Sequence, residues 1–131
     1  MTDYKKTERV CQQNSSISRL VIDDFLIPYA AKHDKLEYEA RQKLAKYKHI
    51  TRKQERSWVN YLMSQYIAHR IFRKDGLIGK YLKHSALKDL TPEEKSYLLQ
   101  QAATPWRFCF SIITANPAHD SYEIEDVFSK E

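Results

Sequence analysis

The sequence predicts a mainly α fold: a bundle of about five helices followed by a short C-terminal antiparallel β-hairpin. Three observations favour this fold. Apolar residues recur every three or four positions over most of the chain, which is the period of a helix face. Only two glycines occur in 131 residues, whereas sheet-rich folds use glycine freely in turns. Beyond residue 104 the apolar period changes to two, the period of a strand.

The chain length predicts one domain. Chains of roughly 100–200 residues usually form a single core, and this one has 131 residues. At that size folding buries about two-thirds of the unfolded surface, so stability requires neither disulfides nor a metal. We expect a single domain over 1–131, in which 1–16 is frayed, 17–104 is helical, and 105–131 forms the β-hairpin and an acidic tail.

Two helices are predicted before residue 50. Ser16 or Ser18 provides a cap for the first, and Pro28 lies within its apolar pattern. Because proline lacks an N–H and crowds the preceding turn, Pro28 should kink this helix or end it. The second helix follows a capping-box pattern, in which Asp34 is the cap and Glu37 reaches back to the cap N–H.

Three further helices follow. The longest, at about 52–73, comes after a capping pattern at Thr51, and its wide apolar side indicates the central helix of the bundle. A short helix begins after Gly76, which is free to adopt the left-handed cap conformation. Thr91 followed by Pro92 begins the last helix. We expect four aromatic residues to lie in the core or at its edge: Tyr47, Trp58, Tyr61 and Tyr66.

The last quarter of the chain has the pattern of two strands. Aromatic and aliphatic residues alternate with smaller or polar ones from Trp106 onward. We expect Trp106 and Phe110 to pack on the helices, and residues 115–120 to form a turn. Tyr122 and Ile124 then alternate with acidic residues in a second short strand.

The order of these last elements is similar to that of uncharacterised bacterial proteins related to the SEC-C-motif-containing family. A helix opened by Leu-Thr-Pro-Glu-Glu precedes a strand begun by proline and aromatic residues, then an Asn-Pro turn and an acidic strand, over about residues 73–131. The likeness implies a family of unknown activity whose strands continue beyond Glu131, and it lends no catalytic residue. Asn116 stands where that family usually has an acid, and the cysteine-rich zinc motif is absent. The matching residues are Pro105, Phe108, Phe110, Ile113, Asn116, Pro117, Ile124, Asp126, Val127 and Glu131.

Charge is unevenly distributed along the chain. The net charge is +5, with nine Lys and Arg against four Asp and Glu in 32–56, but one against five in 118–131. A solvated surface is the commoner explanation of such charge, yet basic residues interleaved with aromatic ones are typical of nucleic-acid binding. The alternative function is therefore a nucleic-acid-binding module that uses the basic 35–56 region. Its candidate contacts are Lys35, Tyr38, Arg41, Lys46, Lys48 and Arg52.

No catalytic or cofactor-binding signature is present in the sequence. Two glycines cannot build a P-loop or a dinucleotide-binding turn. His33 and Glu37 have the spacing of metal ligands on one helix face, but no second ligand pair accompanies them. Cys109 lies two residues from Arg107, and a buried structural cysteine is the usual state of such a residue. The sequence therefore predicts no metal and no cofactor, and it leaves enzymatic activity uncertain while leaning against it.

The cysteines and the N-terminal residues bear on location. Cys11 and Cys109 form no framework of paired spacings, which fits a reducing compartment. The first ten residues are polar and mixed in charge, unlike a signal peptide. The longest apolar stretches are far too short to span a membrane. We expect a cytoplasmic protein that makes no membrane contact.

Composition and the predicted hairpin favour a role in protein contacts. Nine tyrosines and two tryptophans are present, residues that suit interfaces because they combine apolar area with a polar group. A two-stranded hairpin also leaves edges that invite pairing with another chain. We predict a non-enzymatic domain that acts through protein–protein contacts, including self-association as a dimer. Its candidate interface residues are Phe108, Phe110, Tyr122, Ile124 and Phe128.

Overall fold

A computed structural model describes residues 4–84, 87–119 and 121–129 of the chain. It is mainly helical and ends in a two-stranded antiparallel sheet, which confirms the predicted fold class. The backbone divides into two compact units, of which one is Ile17–Trp106 and the other combines Met1–Ser16 with Arg107–Glu131. The single domain over 1–131 stays a prediction.

The helices follow one another with short connections. A π-helical segment separates the first two α-helices, and α4 is a single turn. The helical elements are α1 (Tyr4–Ser18), the π segment (Arg19–Leu26), α2 (Ile27–His33), α3 (Leu36–Ala45), α4 (Lys48–Thr51), α5 (Arg56–Phe72), α6 (Ile78–Leu82) and α7 (Pro92–Ala103).

The N-terminal helical path is longer than predicted. Residues 4–16, expected to be frayed, belong to α1, and the chain stays helical from Tyr4 to His33. Pro28 lies in the first turn of α2 and does not end this path. The π segment precedes it, with the Ile27 N–H bonded to the Ile22 carbonyl five residues back. Such wide turns are a known way for a helix to absorb a local mismatch, here the missing N–H and bulk of a proline ring.

Helix starts were predicted with mixed success. Thr91 caps α7 as expected, since its hydroxyl accepts the Glu94 N–H at 3.2 Å. Asp34 does not cap α3; the cap position is Lys35, with a left-handed φ of 56°, and Asp34 bonds to distant side chains. Thr51 does not cap α5 either: its hydroxyl donates to the carbonyl of Tyr47, the residue before α4, and the cap position of α5 is Glu55.

Gly76 is required for a reason other than the predicted one. The left-handed residue after α5 is Asp75, with φ 58°, and neither glycine has a positive φ. A Cβ on Gly76 would lie 2.4 Å from the Ile71 carbonyl oxygen and within 3 Å of two others. Glycine is needed there because the backbone passes so close to the end of α5.

The core lies within residues 17–106 and draws on the π segment, α2, α3, α5, α6 and α7. Trp106 packs at its edge as predicted: its ring stacks on Phe72 at 4.5 Å, and its indole N–H donates to Gln101 at 2.9 Å. Tyr66 is also partly buried, but Tyr47, Trp58 and Tyr61 are all more than half exposed, so their expected burial was wrong. The buried cluster is Val21, Ile22, Leu26, Ala30, Leu36, Ile67, Ile71, Phe72, Ile78, Tyr81, Leu87 and Leu98.

The hairpin consists of β1 (Ser111–Ala118) and β2 (Ser121–Asp126). Pairing runs from Ser111 with Asp126 to Ala118 with Ser121, with two register shifts on the way. The predicted turn at 115–120 is therefore shorter, because residues 115–118 belong to β1; Asp120 lies outside the described residues. Phe110 precedes β1 and is 69% exposed, so its predicted packing against helices was wrong.

Candidate functional site

The hairpin and its flanks form an apolar surface. All five residues predicted from the sequence lie on it, each with more than half of its surface exposed. We call this set, with two neighbouring isoleucines, the hairpin surface. Its members are Phe108, Phe110, Ile112, Ile113, Tyr122, Ile124 and Phe128, with exposed fractions between 55% and 79%.

The register places apolar side chains on both faces of the two strands. Ile113 lies opposite Ile124, and Tyr122 shares their face because alternate residues of a strand point the same way. Ile112 lies opposite Glu125 on the other face. Each face of this sheet therefore carries apolar residues. In an antiparallel sheet with one face packed on a core, the other face is exposed to water and is usually polar.

The base of the hairpin is held by Asp126. Its carboxylate is only 6% exposed, and it accepts the backbone N–H groups of Phe128 at 2.8 Å and Ser129 at 3.1 Å. Arg107 pairs with it at 2.8 Å. These N–H donors, and then the guanidinium, lower the pKa of Asp126 to about 2, so the carboxylate is charged at neutral pH.

The same turn fixes two aromatic rings of the hairpin surface. The Val127 N–H donates to the Phe110 carbonyl at 2.7 Å, which extends the pairing by one residue beyond β1. The rings of Phe110 and Phe128 then meet edge to face, with centroids 6.1 Å apart. Their positions are set by backbone hydrogen bonds rather than by burial.

The predicted nucleic-acid contacts fall into two groups. Lys35, Tyr38 and Arg41 border an open groove of about 370 Å³ together with Lys32 and Glu37. Glu37 partly neutralises it, since its carboxylate pairs with Arg41 at 2.8 Å. The remaining three candidates are exposed near α4 but do not line this groove: Lys46, Lys48 and Arg52.

A polar cluster around Tyr81 was not predicted. Asp34 accepts the Tyr81 hydroxyl at 2.5 Å and the Lys80 ammonium at 2.7 Å. The hydrogen bonds from Lys80 and Tyr81 lower the pKa of Asp34, while burial and then the Asp34 bond raise the pKa of Tyr81. Beside it, the Tyr29 hydroxyl and the His84 ring nitrogen are 2.9 Å apart. The hydrogen bonds of this cluster hold α6 to the connection between α2 and α3, so we assign the cluster a structural role.

A second group of hydrogen bonds joins α3 to α5. Glu39 accepts the Arg70 guanidinium and the Tyr66 hydroxyl, both at 2.8 Å. The hydrogen bond to Arg70 lowers the pKa of Glu39. His69 lies next to this pair, and its pKa is lowered by burial and by nearby arginines. The hydrogen bonds of Glu39, Tyr66 and Arg70 hold α3 to α5, so we assign this group a structural role.

Several features bear on the other predicted classes of site. In residues 4–84, 87–119 and 121–129, no group of three or more His, Cys, Asp or Glu is placed to hold a metal ion. Cys11 and Cys109 both carry free thiols at exposed positions, so Cys109 is not the buried residue expected. Among the helices that the structure describes, none is both long enough and apolar enough to cross a membrane.

No protein-family model, curated protein or solved structure matches this chain. The likeness to proteins related to the SEC-C-motif-containing family thus stays a prediction.

Proposed function

We propose that this protein acts through protein–protein contacts and that the hairpin surface binds a second copy of the chain. The observation that carries the proposal is the exposure of the seven apolar residues that make up this surface. Soluble monomers rarely leave large contiguous apolar areas open, and such areas often mark binding surfaces. The proposed role is that of a non-enzymatic contact domain.

The geometry of the sheet favours a partner that contributes a strand of its own. Within the described residues the sheet has two strands only, and an isolated pair of strands is marginally stable in water. Its outer edges carry backbone groups that a strand from another copy is able to pair with. A copy of the same hairpin also supplies the apolar side chains that would cover the exposed ones.

Charge is a second reason to propose another copy of this chain as the partner. β2 carries Glu123, which is exposed, and Glu125, which is partly exposed, whereas the chain as a whole has a net charge of +5. An acidic strand on one copy is complementary to the basic surface of another. Since exposed charges are screened by salt over about 8 Å at physiological ionic strength, this part of the attraction should weaken as salt rises.

Light scattering over a range of protein concentrations tests the proposal. We expect wild-type protein to reach the mass of a dimer, and the double variant Phe110→Ser, Phe128→Ser to stay a monomer, because it removes two of the most exposed rings of the hairpin surface. The matched control is Tyr47→Ser, Ile50→Ser, which removes two exposed apolar residues elsewhere. A wild-type protein that is monomeric at high concentration, or a control variant that dissociates equally, would contradict the proposal.

A second candidate function is nucleic-acid binding at the groove bordered by Lys35, Tyr38 and Arg41. The observation that favours it is the exposed Tyr38 ring, 64% accessible, between basic side chains, an arrangement suited to stacking on a base. Fluorescence anisotropy with labelled RNA and DNA is the test. Binding should fall steeply with salt and be weakened by Lys35→Ala, Arg41→Ala, but not by the exposed control Lys88→Ala, Lys95→Ala. No binding at low salt eliminates this candidate.

We also propose that the protein is cytoplasmic and that it is related to the SEC-C-motif-containing family. The free thiols of Cys11 and Cys109 support a reducing compartment. The order of α7, the Trp106 segment and the acidic second strand supports the family likeness.

A further inference from the structure

A cavity of about 470 Å³ lies in the helical unit, between the π segment and α5. Its volume is within the range of pockets that hold small organic ligands, roughly 300–1,000 Å³. Apolar side chains and polar ones share its lining. Ile22 and Ala68 lie on the apolar side, while Ser64 and Gln65 supply hydroxyl and amide groups.

Among the described residues that line the cavity, Asp23 is the only one with a charged side chain. In the part of the chain that the structure describes, no ion pair or hydrogen bond engages its carboxylate. A carboxylate that is the one charged group of the described lining favours positively charged ligands over negatively charged ones.

Two aromatic rings complete the lining. Trp106 is held in place from three directions, by stacking on Phe72, by its indole N–H bond to Gln101 and by its backbone N–H bond to the Phe72 carbonyl at 3.0 Å. Trp106 lines the cavity, as does Tyr61. A preorganised indole binds flat apolar groups and cations with little loss of side-chain entropy.

The backbone at the cavity is itself unusual. Ile22 and Asp23 belong to the π segment, whose wider turns shift side chains relative to a regular α-helix. Single π turns inside α-helices occur frequently at functional sites. Here the π segment turns Ile22 into the core, where it is 1% exposed, and leaves the next residue, Asp23, at the cavity.

We propose that this cavity binds a small organic cation, a protonated amine attached to an aromatic or flat apolar body. The ammonium group pairs with Asp23, the body lies against Trp106 and Tyr61, and Ser64 or Gln65 takes a remaining hydrogen bond. The site lies outside the hairpin surface and does not depend on self-association.

The test uses three probes that share a 2-phenylethyl group: 2-phenylethylamine as the cation, 2-phenylethanol as the neutral analogue and 3-phenylpropanoate as the anion. Trp106 reports binding by its fluorescence in full-length Trp58→Phe protein, in which the exposed second tryptophan is removed. We expect saturable binding of the amine at about 1 mM or tighter. The alcohol should bind more weakly and the acid not at all.

Two neighbouring carboxylates provide the variant and its control. Asp23→Asn should weaken amine binding about tenfold, the loss of one charge-assisted hydrogen bond, and leave the alcohol unaffected. Asp23 and Asp24 are both exposed, but Asp24 does not line the cavity, so Asp24→Asn removes the same charge next to the site and should leave amine binding unchanged. Amine binding that is absent, that survives Asp23→Asn, or that falls equally in both variants overturns the proposal.

Discussion

Replacing Phe72 with alanine is expected to destabilise the protein by about 3–5 kcal/mol, the cost of truncating a well-packed buried aromatic residue. Phe72 is 1% exposed, lies in the core cluster and stacks on Trp106. Its removal leaves a cavity and deprives the indole of its stacking partner. Chemical denaturation followed by circular dichroism measures the change in the free energy of unfolding.

The matched control is the same substitution at Phe110. That residue is 69% exposed, so Phe110→Ala should change the free energy of unfolding by less than about 1 kcal/mol in dilute, monomeric protein. The contrast tests whether the core ends at Trp106 or extends into the strand segment. Equal losses at the two positions would show that Phe110 is buried and that the description of the hairpin is wrong.

Replacing Asp34 with alanine is the second large expected effect. It leaves the hydroxyl of Tyr81, a residue 1% exposed, without its acceptor, which should destabilise the protein by about 1–3 kcal/mol. Adding Tyr81→Phe to Asp34→Ala removes the orphaned hydroxyl and should recover part of this loss. A double-mutant cycle measures that non-additivity. Lys80→Ala, which removes the exposed partner, should cost no more than about 1 kcal/mol.

The Asp34 effect should also depend on pH. Its pKa is lowered from 3.8 in the folded protein, chiefly by the hydrogen bonds from Lys80 and Tyr81. A carboxylate with a depressed folded pKa contributes stability above its unfolded pKa, and that contribution is lost as pH falls through the folded value. The difference between wild type and Asp34→Ala should be full at pH 7 and should shrink below about pH 4. Two results would contradict the assigned hydrogen bonds. One is additive stability losses for Asp34→Ala and Tyr81→Phe in the double-mutant cycle. The other is a stability difference between wild type and Asp34→Ala that stays constant over this pH range.

The fold class was predictable because its signals are local. Thr91 and Pro92 start α7 through atoms of the first turn, where the threonine hydroxyl accepts the Glu94 N–H. The change of period near residue 104 likewise reflects the backbone geometry of the strand itself. Such features are readable from a few neighbouring residues.

The Asp34 interactions were not predictable, because the partners lie far along the chain. Asp34 has the right spacing from Glu37 for a capping box, yet it bonds to Lys80 and Tyr81, 46 and 47 residues away. Tertiary hydrogen bonds displaced a local capping pattern that was chemically reasonable. Glu37 pairs instead with Arg41 one turn along α3.

Five of the seven residues of the hairpin surface are candidates from the sequence alone, but their surroundings could not be predicted. Alternation identifies which side chains share a face of a strand, but it does not tell whether that face is covered. It therefore predicts the same burial for Trp106 and Phe110. Trp106 stacks on Phe72, whereas Phe110 is exposed. The cavity beside Asp23 carried no clear sequence signal beyond Pro28, whose position in an apolar helix pattern indicated an irregular helix nearby.

The central claim is that the hairpin surface contacts a second copy, and hydrogen–deuterium exchange of the wild-type protein at low and high concentration tests it most directly. Exchange reports residue by residue where backbone amides become protected. We expect amides of residues 110–127 to exchange more slowly at high concentration, while those of α3 do not change. Exchange in the hairpin that is independent of concentration, or protection that appears in α3 instead, would contradict the claim.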